Sequence, residues 1–120
     1  QMAEDLEIRV HDSTRTFPSD ERFRSVDQLL RSSSSVTNNI AEAYRKRSVL
    51  ERERILRDIC CGEAEETRTN LLRCAKKGFC AAERARVLAD RYVELIKATY
   101  GFIKFLRRRV HGGAPESLIP

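Results

Sequence analysis

The stretch RSSSSVTNNIAEAYRKRS, residues 31–48, decides the fold. Four serines followed by Thr37, Asn38 and Asn39 have the composition of a polar linker, which would divide the chain in two. The end of the stretch, NIAEAYRK, reads instead as helix. The phase of the surrounding residues settles the choice. Phe23, Val26, Leu30, Ser33, Thr37, Ile40 and Tyr44 recur at alternating spacings of three and four, the period of one helix face. Leu29, Val36 and Ala43 form a second row, seven apart, beside the first. A flexible linker has no reason to keep that phase and is usually built with glycine or proline. Neither occurs between Pro18 and Gly62. The serines are therefore small residues inside one helix, where neighbouring helices can approach closely.

Working outward, chain breakers are few. In TFPSDE, Pro18 followed by Ser19 and Asp20 predicts a turn and a helix start with acids in the first turn. Arg45-Lys46-Arg47 suits a helix C-terminus, and Ser48 with Glu51 three residues on forms a capping box that opens the next helix. From there Leu56, Cys60, Ala64, Thr67, Leu71 and Cys74 keep a helical phase up to Gly78. That glycine follows two lysines, the pattern of a helix closed in the left-handed conformation. After it, Val87, Ala89, Tyr92, Val93, Leu95, Ile96, Thr99, Tyr100, Ile103 and Leu106 make a broad apolar face, and HGGAP at 111–115 ends the last helix. Residues 3–16 predict a short, poorly patterned first helix with Leu6, Ile8, Val10 and Phe17 as its apolar content. The three long helices would each span ~40 Å at 1.5 Å per residue. Matched lengths joined by short turns predict an all-α fold: an antiparallel up-and-down four-helix bundle with a short first helix. It occupies residues 3–110 as a single domain, with residues 111–120 as a C-terminal tail.

The totals agree with this reading. The 120 residues suffice for one core. Charged residues make up 34% and aromatics 7%, with no tryptophan, a balance rich in helix formers. No apolar run approaches the roughly 20 residues that span a bilayer. QMAEDLEIRV is acidic and lacks the apolar core of a signal peptide. A cytoplasmic location without membrane contact is expected, with Cys60, Cys61, Cys74 and Cys80 reduced and packed as small apolar residues.

SVTNNIAEAYRKRS resembles the signature of the four-helix bundle proteins encoded in intervening sequences of bacterial large-subunit ribosomal RNA genes. That signature runs approximately Ser-Ile/Val-Pro-x-Asn-Ile-Ala-Glu-Gly, matched here by Ser35, Val36, Asn39, Ile40, Ala41 and Glu42. GEAEETRTNL resembles a second stretch through Gly62, Glu66, Thr69 and Leu71, and KGFCAAE a turn through Gly78 and Phe79. YGFIKFL resembles the closing helix. Thr37 stands where the family often has proline and Ala43 where it has glycine, so any bend of the second helix should be weaker. The resemblance implies a non-enzymatic bundle that assembles with itself as a ring, pentamers in particular. A related bundle is the accessory protein of diversity-generating retroelements, whose basic ring is held to bind nucleic acid and a reverse transcriptase. A nucleic-acid-processing protein is thus a further expected partner.

Residue chemistry points the same way. Glycine-rich phosphate loops are absent, and His11 and His111 lie near opposite ends of the chain, giving no His-assisted nucleophile. Glu-x-x-His pairs and paired Cys-x-x-Cys spacing are also missing, so no metal and no cofactor is expected. Glu42, Glu66 and Asn39 are assigned to structure or assembly; Glu42 can pair with Lys46 one turn on. The net charge is +5, which favours anionic partners. In an antiparallel bundle the end of helix two, the start of helix three and the end of helix four share a pole. Arg45, Lys46, Arg47, Arg52, Arg54, Lys104, Arg107, Arg108 and Arg109 would crowd it, clearly opposed only by Glu51 and Glu53. Helix dipoles explain one or two basic residues per terminus; triplets at two termini exceed that. RNA or DNA phosphates are the expected ligand. The alternative is an assembly module whose protein partner uses the leftover apolar faces, and a nucleic-acid hydrolase ranks third for want of a catalytic constellation.

Overall fold

The computed structural model describes the backbone of residues 1–111. The predicted tail, apart from His111 at the end of the last helix, lies outside the described residues. Helix α1 (Met2–Ser13) buries Ala3, Leu6, Val10 and Ser13, positions three, four and three apart. This is a regular core stripe, hidden in the sequence because two of its members are small. Ile8, counted there as apolar content, is exposed. Phe17 is extended (φ −74°, ψ 148°), as a residue before proline is pushed to be, and packs tilted against Phe79 with ring centroids 5.6 Å apart.

A 3-10 turn (Ser19–Glu21) and a π-helical stretch (Arg22–Val26) lead into α2 (Asp27–Arg45). The serine run is helix throughout. Its dominant row, however, is Leu29, Val36 and Ala43, joined by Ser32 and Ser33. The row read first is, apart from Ser33, only partly buried or exposed: Phe23 is 86% exposed and Tyr44 53% exposed. Phe23 falls on the π stretch, whose longer turn breaks the 3–4 phase of α2. Buried Ser32 and Thr67 meet hydroxyl to hydroxyl at 2.7 Å, and the Ser33 hydroxyl donates to the Leu29 carbonyl at 2.7 Å. Small hydroxyl residues thus sit where α2 meets the third rod.

That rod comprises α3 (Val49–Arg54), a second π-helical stretch (Ile55–Cys60) and α4 (Cys61–Lys76). Ser48 caps it, its hydroxyl accepting from the Glu51 amide at 3.3 Å. All six predicted core positions from Leu56 to Cys74 are buried. Gly78 closes the rod at φ 80°, with its amide donating to the Ala75 carbonyl and that of Phe79 to Cys74, both at 3.0 Å. The chain then reverses into α5 (Ala82–His111). Here Ala85, Leu88, Ala89, Tyr92, Leu95, Thr99, Ile103 and Leu106 are buried, whereas the expected Val87 and Tyr100 are exposed.

The result is an antiparallel four-helix bundle, 53 × 23 × 20 Å, with no strand among the described residues. None of its described helices is long and apolar enough to cross a membrane. One consequence of helix length positions the site. Twelve-residue α1 spans ~18 Å and thirty-residue α5 ~45 Å. The C-terminal end of α1 is fixed beside the α4–α5 turn, where the Thr16 hydroxyl donates to the Phe79 carbonyl at 2.9 Å and Arg84 pairs with Asp12. In the other half of the bundle, a groove of about 410 Å³ opens beside Gln1 and runs between α2 and α5.

Candidate nucleic-acid interface

Three chain segments converge at the pole away from the α4–α5 turn. Leu106 of α5 packs with Val49 at the start of α3. Arg107 forks onto Glu53 of α3, Nε and Nη2 donating to its two oxygens at 2.7 and 2.8 Å. From α3, the Arg52 Nε donates to the Lys46 carbonyl just past α2 at 2.6 Å. Tyr44 of α2 lies against Phe102 of α5, centroids 5.9 Å apart. The nine basic residues singled out in the sequence therefore belong to one end of the molecule.

They do not play one role. Arg52 is buried and spends its Nε on the backbone, so it braces the α2–α3 corner. Arg107 is held by Glu53, which also takes Arg57 at 2.6 Å. Arg45 and Lys46 share Glu42 at 2.6 and 3.2 Å. Glu42 therefore opposes the cluster alongside Glu53, and the Glu42–Lys46 pair read from the sequence is formed. Among the described residues Arg47, Arg54, Lys104 and Arg108 make no ion pair, and Arg109 lies 5.6 Å from the Phe105 ring centroid. Among the described residues of this end, ten cations (the nine and Arg57) stand against four carboxylates (Glu42, Glu51, Glu53 and Asp58), so pairing among these residues leaves an excess of positive charge. Arg47, Arg54, Lys104, Arg108 and Arg109 are the exposed remainder.

The paired carboxylates feel that field. The hydrogen bond from Arg107 holds the Glu53 carboxyl below the ordinary glutamate value of 4.5 against the opposing effect of burial, aided by the charges of Arg107 and Arg57. The hydrogen bonds from Arg45 and Lys46 lower Glu42 likewise. A carboxyl lowered in the folded state is protonated more readily in the unfolded chain, so its stabilisation is complete above 4.5 and lost as pH falls through the folded value. The melting temperature should hold from about pH 7 to 5 and drop below that. Thermal melts of Glu53→Gln should show a shallower acid limb; an unchanged limb would refute a stabilising role for this clamp.

The assembly candidates divide. Glu66 pairs with Arg31 across the α2–α4 contact at 2.8 Å, with Glu63 at 3.6 Å from the same guanidinium. The Asn39 amide stays within α2, donating to the Ser35 carbonyl and hydroxyl at 2.8 and 2.9 Å, and the ion pairs of Glu42 are also local to the end of its helix. All four cysteines are free. Burial pushes the Cys60 thiol up to about 12 and raises Cys61, Cys74 and Cys80, opposite to an activated nucleophile. Iodoacetamide at neutral pH should label the folded protein slowly and half-buried Cys80 first, as read by peptide mass spectrometry. Fast labelling of Cys60 would contradict this packing. Among the described residues no group of three or more His, Cys, Asp or Glu is placed to hold a metal ion.

The family described as 23S rRNA-intervening sequence protein matches residues 1–101. The chain belongs to that family. A search of curated proteins gives no match. The family match spans α1 to α4 and most of α5, including the SVTNNIAEAYRKRS stretch. It stops at Gly101, ahead of Phe102, Phe105 and the Arg107–Arg109 triplet. Four of the nine basic residues, Lys104, Arg107, Arg108 and Arg109, therefore lie beyond the matched residues.

Proposed function

We propose that this protein is a non-enzymatic, self-associating helical scaffold or accessory protein that binds RNA or DNA through phosphate contacts at its basic pole. The observation that carries the reading is the convergence of α2, α3 and α5 on one end, joined by the Arg107–Glu53 fork. Five exposed cations remain there after the pairing carboxylates are accounted for. Phosphate contact needs no base-reading motif. The family's description, which names 23S rRNA, supports RNA as the first ligand to try and is compatible with work in the cytoplasm beside a nucleic-acid-processing protein. In a ring the cluster would repeat with every subunit and its field would add.

Fluorescence anisotropy with a labelled generic RNA at low salt tests this, and a Kd in the micromolar range is expected for non-specific contact. A second reading, an assembly module without a nucleic-acid role, draws on a different observation: Leu50 is 77% exposed and Phe23 86% exposed, on segments away from the core. Oligomer formation with no RNA binding at low salt would establish that reading instead.

A further inference from the structure

The basic pole also carries aromatic rings. Tyr44, Phe102 and Phe105 form a ladder with centroids 5.9 and 6.0 Å apart, the two phenylalanines within 21° of parallel. The Arg109 guanidinium lies over the far end, 5.6 Å from the Phe105 centroid. Core packing explains part of this, since both phenylalanines are half-buried against Leu106 and Val49. It does not explain Tyr44, which exposes 53% of its surface at the crowded end of a cationic pole. The groove beside it has apolar walls supplied by Ile40, Leu95 and Ala98, and Tyr44 and Phe102 both line it.

Charge flanks the rings on one side. Lys97, Lys104 and Arg108 are spaced seven and four apart on α5 and are all exposed, so they form one stripe. Phe105 neighbours Lys104 and lies one turn before Arg108. No acid occurs from Lys97 to Arg109. A cationic track alongside flat apolar rings is the combination that holds single strands, phosphates on the track and bases on the rings. Duplexes keep their base faces stacked inside and offer only phosphates and groove edges to such a surface.

Building on the phosphate-binding reading above, we infer that this pole selects unpaired nucleic acid over duplex, with bases stacking on Tyr44 and entering the groove beside Phe102. The test compares an unstructured RNA of about 15 nucleotides with the same strand annealed to its complement, at one salt concentration. The single strand should bind roughly tenfold more tightly. Tyr44→Leu should abolish that preference, and Tyr44→Trp should keep it while its new indole fluorescence is quenched by the single strand. Equal binding of both RNAs, unaffected by Tyr44→Leu, would overturn base stacking and leave phosphate contact standing. Failure of both RNAs to bind at low salt would overturn both readings. A change of assembly mass in Tyr44→Leu with RNA preference intact would assign the ring to a contact between copies of the chain and overturn the inference.

Discussion

Ser32→Leu is expected to lower the melting temperature by roughly 10–20 °C. Ser32 is fully buried, and its hydroxyl lies 2.7 Å from that of Thr67 across the α2–α4 contact. A leucine puts three carbons in place of one hydroxyl oxygen where two helices meet at the separation of a hydroxyl pair. Overpacking of this kind costs about 1–3 kcal/mol, and separation of the pair takes a hydrogen bond with it. Thr67 keeps its bond to the Glu63 carbonyl at 2.8 Å, so the cost comes mainly from sterics. Ser32→Ala should therefore cost only about 1 kcal/mol. A linker would be indifferent to both changes, which makes thermal melts of the pair a direct check on the reading of the serine run.

Arg47, Lys104, Arg108 and Arg109, all replaced by glutamine, should weaken RNA binding by about a hundredfold at low salt. These are exposed cations without a carboxylate partner among the described residues. Their loss should leave the melting curve and the mass by light scattering in place. Arg107 is kept in this variant because its fork onto Glu53 ties α5 to α3; its removal would mix a stability effect with a binding effect. Each lost phosphate contact on a single strand also removes about 0.7 from the salt slope. Unchanged affinity in the fourfold variant would move the binding surface elsewhere.

Much of the fold was legible because period survives composition. The phase through residues 23–44 identified a helix where the serines suggested a linker, and Gly78 marked the reversal that its φ of 80° makes. What escaped was carried by small residues and by irregular turns. Ala3, Ser13, Ala85 and Ser32 are buried, yet nothing in an alanine or a serine announces it. The π stretches Arg22–Val26 and Ile55–Cys60 leave no mark in the spacing, and the first of them turned Phe23 outward. Chain direction alone grouped the basic residues at one pole. It could not tell that Arg52 points to a backbone carbonyl or that Arg107 is clamped, because those partners are chosen by packing. The aromatic ladder was invisible for the same reason: Tyr44 and Phe102 meet only once α2 and α5 are side by side.

The phosphate reading is tested most directly by the affinity of the intact protein for an unstructured RNA, measured between about 25 and 200 mM monovalent salt. With Arg47, Arg54, Lys104, Arg108 and Arg109 on phosphates, log K against log salt should fall along a line of slope about −3 to −4. A flat line, or no binding at the lowest salt, would contradict a polyanion role for the basic end.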